Sequence, residues 1–339
     1  MNFDQLLESL ISAKNKEHII NRIKEELEQQ GKDLEDVYEE WFDSKLDTEY
    51  ASAMLHSQED IGVEETFLYA AVCLGKLETV KYLVDEKKAN VDAKSCSGCT
   101  ALHFAAERGH LDIVKYLVDK EANVDAQDND GCTPLHIAAQ NSHFDIVEYL
   151  INHTKVNVSI KSYCDHTLLH FAAEGGNLET VKYLVGRGAN ANARDKWGYT
   201  PLHSAAECGH LNIIRYFVED LTGEKKVYID TKNNDDSTPL HLAVECGSLD
   251  IAKYLVENRT NVDAVDVNNK TPLDIANECG HPGIVEFLNK KRVASDANND
   301  VPSQAAKRTK LDKVQEDNIE LLITSISKLG RTGGITDKM

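Results

Sequence analysis

Between residues 61 and 292, apolar residues recur in short stripes that polar turns separate. From Leu111 to Val118 they stand at positions i, i+2, i+3, i+6 and i+7, which gives a wide apolar face on a helix. Small alanine pairs such as Ala105-Ala106 come before each stripe and let a neighbouring helix approach closely. Glycines such as Gly109 stand between the two and favour a left-handed helix end. The pattern predicts repeated pairs of packed helices.

A four-residue motif, Thr-Pro-Leu-His or a close variant, marks each pair. Its copies begin at Thr100, Thr133, Thr167, Thr200, Thr238 and Thr271, 33 or 34 residues apart with one exception. Threonine suits a helix N-cap, and proline suits the first helical position because its missing N–H costs nothing there. Thr66 fits a degenerate first copy, since Gly75 and Leu77 then share the register of Gly109 and Leu111. We therefore predict seven repeats.

Two departures interrupt the repeat. About five extra residues around 222–226 lengthen the connection between the fifth and sixth copies, and repeat insertions usually form loops. Asp165 and Asp236 replace the glycine of the turn that precedes the motif, so we expect those turns to be reshaped.

The motif, its period and trailing segments such as 122–126 (Ala-Asn-Val-Asp-Ala) resemble the ankyrin-repeat family over about two thirds of the chain. The resemblance implies an all-α fold, an α-solenoid with short hairpin turns, in residues 61–292. It also implies a protein partner held by the hairpin tips and the concave face. The closely matched repeats are similar to ankyrin proteins of intracellular bacterial symbionts, which implies a secreted effector that acts in a host cell.

Residues 1–60 carry helical periodicity, with apolar residues such as Leu6, Leu10, Ile19 and Ile23 and a break at Gly31. Two interpretations stay open. The segment is either a helical cap that shields the first repeat or a separate effector or dimerisation module.

Residues 293–339 lack this pattern and begin with a polar stretch, 294–300, so we predict a largely disordered tail there. Lys307, Arg308 and Lys310 lie in a segment that resembles Myc-type nuclear import signals, which implies binding to an import receptor and a nuclear location. A solvated charge run is the alternative. A short amphipathic stretch around Ile319 to Leu329 suits docking on the repeats or on a partner.

The composition limits the classes of partner that we expect. The formal net charge of −20 disfavours nucleic acid and anionic membranes and favours basic partners. The start of the chain is unlike a signal peptide, and no run of about 20 apolar residues occurs, so we expect a cytoplasmic protein with reduced cysteines.

The residues that suggest chemistry have structural explanations. The motif histidines recur once per repeat, so we expect their ring nitrogens to bind the neighbouring repeat's backbone. Cys96 and Cys99 form a C-x-x-C without a second pair, which argues against zinc, and we expect the repeat-column cysteines to be buried or half-buried fillers. No catalytic motif is present. We predict a protein without enzymatic activity, cofactor or metal.

Two sets of residues are candidates for partner binding. Tyr163, Trp197 and Tyr199 lie at or beside predicted hairpin tips, where aromatic side chains are typical anchors. The position after each alanine pair is mostly acidic and sets a line of carboxylates along the concave face: Glu107, Gln140, Glu174, Glu207, Glu245 and Asn277. We therefore predict a protein partner with a basic segment. An adaptor or enzyme with its activity in residues 1–60, and a purely structural scaffold, are the alternatives.

Overall fold

The computed structural model describes residues 63–298, and within that range the chain is helical with no strand. It divides into two units after Asp235. The prediction of an all-α fold is confirmed. In chain order the α-helices are α1 (Val63–Cys73), α2 (Leu77–Asp85), α3 (Ala101–Arg108), α4 (Leu111–Asp119), α5 (Pro134–Gln140), α6 (Phe144–His153), α7 (Leu168–Gly175), α8 (Leu178–Gly186), α9 (Pro201–Glu207), α10 (Leu211–Arg215), α11 (Pro239–Glu245), α12 (Leu249–Glu257), α13 (Pro272–Glu278) and α14 (Pro282–Asn298).

In the second to sixth repeats, the motif threonine caps the first helix together with the histidine three residues later. In α3, the Thr100 backbone N–H donates to His103 Nδ1 at 3.1 Å, and the Thr100 hydroxyl lies 3.0 Å from the same nitrogen. Because Nδ1 accepts, the ring proton is on Nε2, and Nε2 donates to the Cys132 carbonyl of the next repeat at 3.1 Å. The predicted tie between a motif histidine and its neighbour's backbone is confirmed.

The same cross-repeat bond recurs in both units. His136 Nε2 donates to the Ile160 carbonyl and His170 Nε2 to the Tyr199 carbonyl, each at 3.1 Å, and His241 Nε2 donates to the Lys270 carbonyl at 3.3 Å. The seventh repeat has Asp274 instead, whose carboxylate accepts the Thr271 N–H at 2.8 Å. The aspartate also caps the helix, but it lacks the second ring nitrogen with which histidine bonds to another repeat.

The first repeat differs from the prediction at its start. Helix α1 begins at Val63, so Thr66 lies inside the helix and is not its N-cap. The rest of the register is confirmed, since Gly75 takes a left-handed φ of 66° and α2 begins at Leu77.

The core forms where the alanine pairs and the second-helix stripes meet. Ala105 and Ala106 are fully buried, as are Ile113, Val114 and Leu117 of α4. The first helices pack side by side, α3 on α5, α5 on α7 and α7 on α9. Burial of each large aliphatic side chain contributes roughly 1.5–3 kcal/mol, and a single repeat has no neighbour to provide that burial.

A second set of histidines packs on the glycines that have a left-handed backbone conformation. Each repeat has at most one such histidine. His143 Nε2 donates to the Glu107 carbonyl at 2.9 Å, and its ring lies so close to Gly109 that a Cβ there would be 2.6 Å from Cε1. Gly176 and His210 repeat the arrangement, with His210 Nε2 donating to the Glu174 carbonyl at 2.7 Å. Ser142 takes the glycine's place once, with φ at 65°.

The next repeat compensates for Ser142. The residue that follows in this column is Asn177, whose side-chain amide donates to the Ser142 carbonyl at 3.0 Å. An asparagine is smaller than an imidazole and leaves room for the Ser142 Cβ. The column therefore keeps its inter-repeat hydrogen bond with a different pair of residues.

The insertion forms a loop, as predicted. Helix α10 continues as a π-helical turn over Tyr216–Asp220, and a 3₁₀ turn follows at Gly223–Lys225. Lys225 Nζ donates to the Val185 carbonyl at 2.9 Å, at the end of α8, where the helix dipole favours a cation. The loop is thus packed on the preceding repeat.

Three predictions about local structure were wrong. Asp165 does not reshape its turn, because it adopts the left-handed φ of 62° itself and its N–H bonds to the Ser162 carbonyl at 2.9 Å, as glycine does elsewhere. Helix α14 extends to Asn298, past the boundary at 292, since no glycine or proline interrupts it. The cysteines Cys208, Cys246 and Cys279 are exposed, because they follow the acidic position at the end of a first helix.

The cap histidines should make stability depend on pH. Burial lowers the pKa of both His136 and His170 to about 4, whereas an unfolded histidine titrates near 6.5. Between pH 6.5 and 4 the unfolded chain binds more protons, so the free energy of unfolding falls as pH falls, by about 1.4 kcal/mol per pH unit for each histidine. Urea unfolding at pH 7.5, 6 and 5 measures this slope.

The matched variants are His136→Gln and His153→Gln, since His153 lies exposed on α6. The slope should be smaller in His136→Gln than in His153→Gln, by about 1.4 kcal/mol per pH unit. Equal slopes in the two variants would contradict the assignment.

The glycine–histidine contact predicts a difference between two alanine substitutions. Gly176 and Gly188 both have left-handed φ values, 83° and 94°, but a Cβ at Gly176 would collide with the His210 ring, whereas one at Gly188 would meet nothing within 4 Å. Gly188→Ala should cost about 1–2 kcal/mol from backbone strain alone, and Gly176→Ala roughly 1–3 kcal/mol more. Equal midpoints in urea would show that the ring contact is unimportant.

Candidate functional site

The turns before the motif threonines form a hydrogen-bonded row in the first unit. Each is a β-turn, as in Asp195 to Gly198, where the Gly198 N–H donates to the Asp195 carbonyl at 3.1 Å. Adjacent turns are linked by backbone bonds of 2.8–2.9 Å: Asn129 to Ser97, Tyr163 to Asp130, Lys196 to Cys164 and Asn234 to Trp197. The row fixes the direction in which tip side chains leave the backbone.

Two of the three predicted aromatic residues are exposed on this row. Tyr163 is 64% exposed and Trp197 is 49% exposed. Tyr199 is half-buried, and its carbonyl accepts the His170 bond, so its backbone role is structural. Tyr163 and Trp197 therefore offer far more apolar contact area to a partner than Tyr199 does.

Asp195 holds the turn that carries Trp197. Its side chain is 1% exposed, and Oδ1 accepts the N–H groups of Trp197 at 2.9 Å and Tyr199 at 2.7 Å. Oδ2 accepts a hydrogen bond from His166 Nε2 at 2.7 Å. The imidazole of His166 in turn meets the Trp197 indole edge to face, with ring centroids 6.0 Å apart.

The predicted acidic positions differ in exposure. Glu107 and Glu174 are half-buried, whereas Glu207 and, in the second unit, Glu245 are exposed. Gln140 and Glu207 occupy the same helix position as Glu174 in the neighbouring repeats. The acidic column of the first unit consists of Glu107, Gln140, Glu174 and Glu207.

Glu174 connects the acidic column to the tips. Its carboxylate lies 3.4 Å from Gln140 Nε2, 3.4 Å from Ser204 Oγ and 3.7 Å from His166 Nδ1. Burial raises the pKa of this carboxyl, while nearby His166 and the Ser204 hydroxyl lower it. The contacts are long, so the carboxylate, 20% exposed, is weakly compensated.

His166 was not among the sequence-predicted site residues. Its position, just before the motif threonine, holds Cys99, Cys132 and Tyr199 in other repeats of this unit. An imidazole in a column that otherwise holds two thiols and a phenol was the available signal. Its significance depends on Asp195, 29 residues later, and that contact exists only after the repeats stack.

Comparison with known families agrees with this geometry. The family model described as ankyrin repeats (3 copies) matches residues 47–128, 67–162 and 217–300. A second family model, described as ankyrin repeats (many copies), matches residues 154–218. The chain belongs to the ankyrin-repeat family. Its ankyrin array is accordingly a protein–protein interaction module, and ankyrin repeats are typically non-enzymatic.

One curated relative shares a short stretch with this chain. Alpha-latrocrustotoxin-Lt1a of Latrodectus tredecimguttatus is 40% identical over 53 residues, which are 16% of this chain. Those residues are 4% of the toxin, so the match extends over a small part of its length.

Residues 63–298 contain no group of three or more histidine, cysteine or acidic side chains placed to hold a metal ion. Burial raises the pKa of the Cys99 thiol to about 11, the opposite of what a nucleophilic or redox-active thiol needs. None of the helices in that range is long and apolar enough to cross a membrane.

Asp195 should be the residue that holds the Trp197 tip. Asp195→Ala removes the acceptor of three hydrogen bonds, so the ankyrin array should lose about 2–4 kcal/mol of stability and Trp197 should become mobile. A Trp41→Phe background leaves Trp197 as the one tryptophan, so that its fluorescence anisotropy reports the tip. Asp130→Ala, at an exposed tip position, is the control. Unchanged anisotropy in Asp195→Ala would refute this role.

Proposed function

We propose that this chain is a non-catalytic binding protein whose first unit holds a protein partner with a basic segment. The observation that supports it most is that the His166 imidazole contacts both the exposed indole of Trp197 and the weakly compensated carboxylate of Glu174. An apolar surface next to an anion suits lysine or arginine, whose side chains combine an apolar stem with a cationic head.

Electrostatics supports a basic segment over a neutral one. The net charge of −20 attracts cations at long range and raises association rates. At short range, a lysine or arginine that reached Glu174 would replace contacts of 3.4–3.7 Å with a charge-assisted bond. Tyr163 and Trp197 would supply the apolar anchors.

Two finer parts of the proposal concern location. We propose that the chain acts as an effector inside a host cell, as the similarity of its repeats to symbiont ankyrin proteins suggests. Lys307, Arg308 and Lys310 would then bind an import receptor and place the chain in the nucleus as well as the cytoplasm. These three residues lie outside the described range, 63–298.

Quantitative affinity capture from cell lysate should test the surface. The intact chain is compared with a Tyr163→Ala, Trp197→Ala double variant and with Glu174→Gln. We expect the double variant to lose a dominant partner, and Glu174→Gln to retain it at roughly tenfold lower affinity and with a weaker salt dependence, because one charge pair is lost. Tyr228→Ala is the matched control, since Tyr228 is an equally exposed aromatic away from the tips.

A tail variant, Lys307→Ala with Arg308→Ala, tests the proposed nuclear import separately from the binding surface. Selective loss of import receptors supports nuclear targeting, and retention of them contradicts it. A partner set that is unchanged in the tip and Glu174 variants would contradict the binding surface and shift attention to residues 1–60.

A further inference from the structure

Acidic residues link successive hairpin segments, which are the stretches between a second helix and the next turn. Asp92 Oδ1 accepts the Asn123 N–H at 2.8 Å, and Asp125 Oδ1 accepts the Asn157 N–H at 2.9 Å. These bonds join the second repeat to the third and the third to the fourth.

The link is missing at the next junction. Ser159 occupies the position of Asp92 and Asp125, and its side chain makes no hydrogen bond to Asn190. The Asn190 N–H consequently has no hydrogen-bond acceptor among the described residues. A donor that the fold satisfies at two junctions is left open at this one.

A groove of about 1000 Å³ lies at this junction, between hairpin segments 158–161 and 188–194. Its lining includes Ile151, Leu168 and Leu184, and Val158 at its edge is 48% exposed. The groove is therefore apolar in part and open to a ligand.

The charged residues that line the groove are all cationic. Arg187 donates to Asn152 Oδ1 at 2.6 Å and stacks 4.7 Å from the Tyr183 ring centroid, and Arg194 donates to the Lys232 carbonyl at 2.7 Å. These neutral partners position the two guanidinium groups without neutralising them. Lys161, the third cation, lies 3.7 Å from Asp165, which is outside the lining.

We propose that this groove binds an extended peptide segment of a partner through an aspartate or glutamate with an apolar neighbour. The partner's carboxylate takes the place of the one that Ser159 lacks, accepts the Asn190 N–H and pairs with Arg187. The adjacent apolar side chain packs on Val158. Because the groove shares no residue with the acidic column and has the opposite charge, this site is independent of the function proposed above.

Nuclear magnetic resonance of the ¹⁵N-labelled full chain tests the site. The probe is a capped hexapeptide copied from residues 122–127 (Ala-Asn-Val-Asp-Ala-Gln), the segment that provides this carboxylate at the preceding junction. We expect saturable movement of the Asn190 amide signal and at least about tenfold weaker binding by the same peptide with asparagine in place of aspartate. Equal binding by the two peptides would overturn the proposal.

Ser159→Asp is the decisive variant. It supplies the chain's own carboxylate to Asn190, so peptide binding should be lost while the unfolding temperature stays the same or rises. That combination separates a filled site from a misfolded protein. Arg187→Gln should weaken binding about tenfold. Full peptide binding in Ser159→Asp would overturn the assignment.

A last comparison distinguishes a partner from the chain's own acidic stretch near Glu316, Asp317 and Glu320. In the full chain without peptide, Glu316→Gln, Asp317→Asn, Glu320→Gln should leave the Asn190 signal unmoved. Movement of that signal would identify the chain's own segment as the occupant and overturn the commitment to a partner.

Discussion

The structure depends on an imidazole that makes hydrogen bonds in two directions at the start of the first helix, which occurs in the second, third, fourth and sixth repeats. Nδ1 accepts from the capping threonine, and Nε2 donates to a carbonyl of the following repeat, as in His103 and His170. The ring is almost fully buried, so an unmade bond would cost about 1–3 kcal/mol. The ring that caps the helix therefore also sets the distance to the next repeat.

Surface function follows from this constraint. With the turns held in a row, side chains at equivalent positions point in equivalent directions, and the residue type at each position decides what the surface can bind. Trp197 and Glu174 stand at such positions near His166, while Ser159 stands where the two preceding repeats have aspartate. Trp197 adds an exposed anchor. Ser159 removes a carboxylate and leaves a groove that is lined by cations.

Features that recur in every repeat were predictable from the sequence. The threonine caps, the left-handed glycines and the role of the motif histidines each occur several times, so their physical reason could be read from local spacing alone. The His166 to Asp195 bond and the Gly176 to His210 contact join residues 29 and 34 positions apart, and only the stacking of repeats brings them together. The exposure of Cys208 was missed because composition suggested burial, whereas its place at a helix end decides otherwise.

The most direct test of the central claim is the tautomer and proton exchange of the cap histidines, measured by ¹⁵N nuclear magnetic resonance at pH 7. His103, His136 and His170 should each carry their proton on Nε2, and that proton should exchange slowly with water because it is buried and bonded to a carbonyl. Exposed His153 should exchange fast. Protons on Nδ1, or exchange as fast as that of His153, would contradict the account.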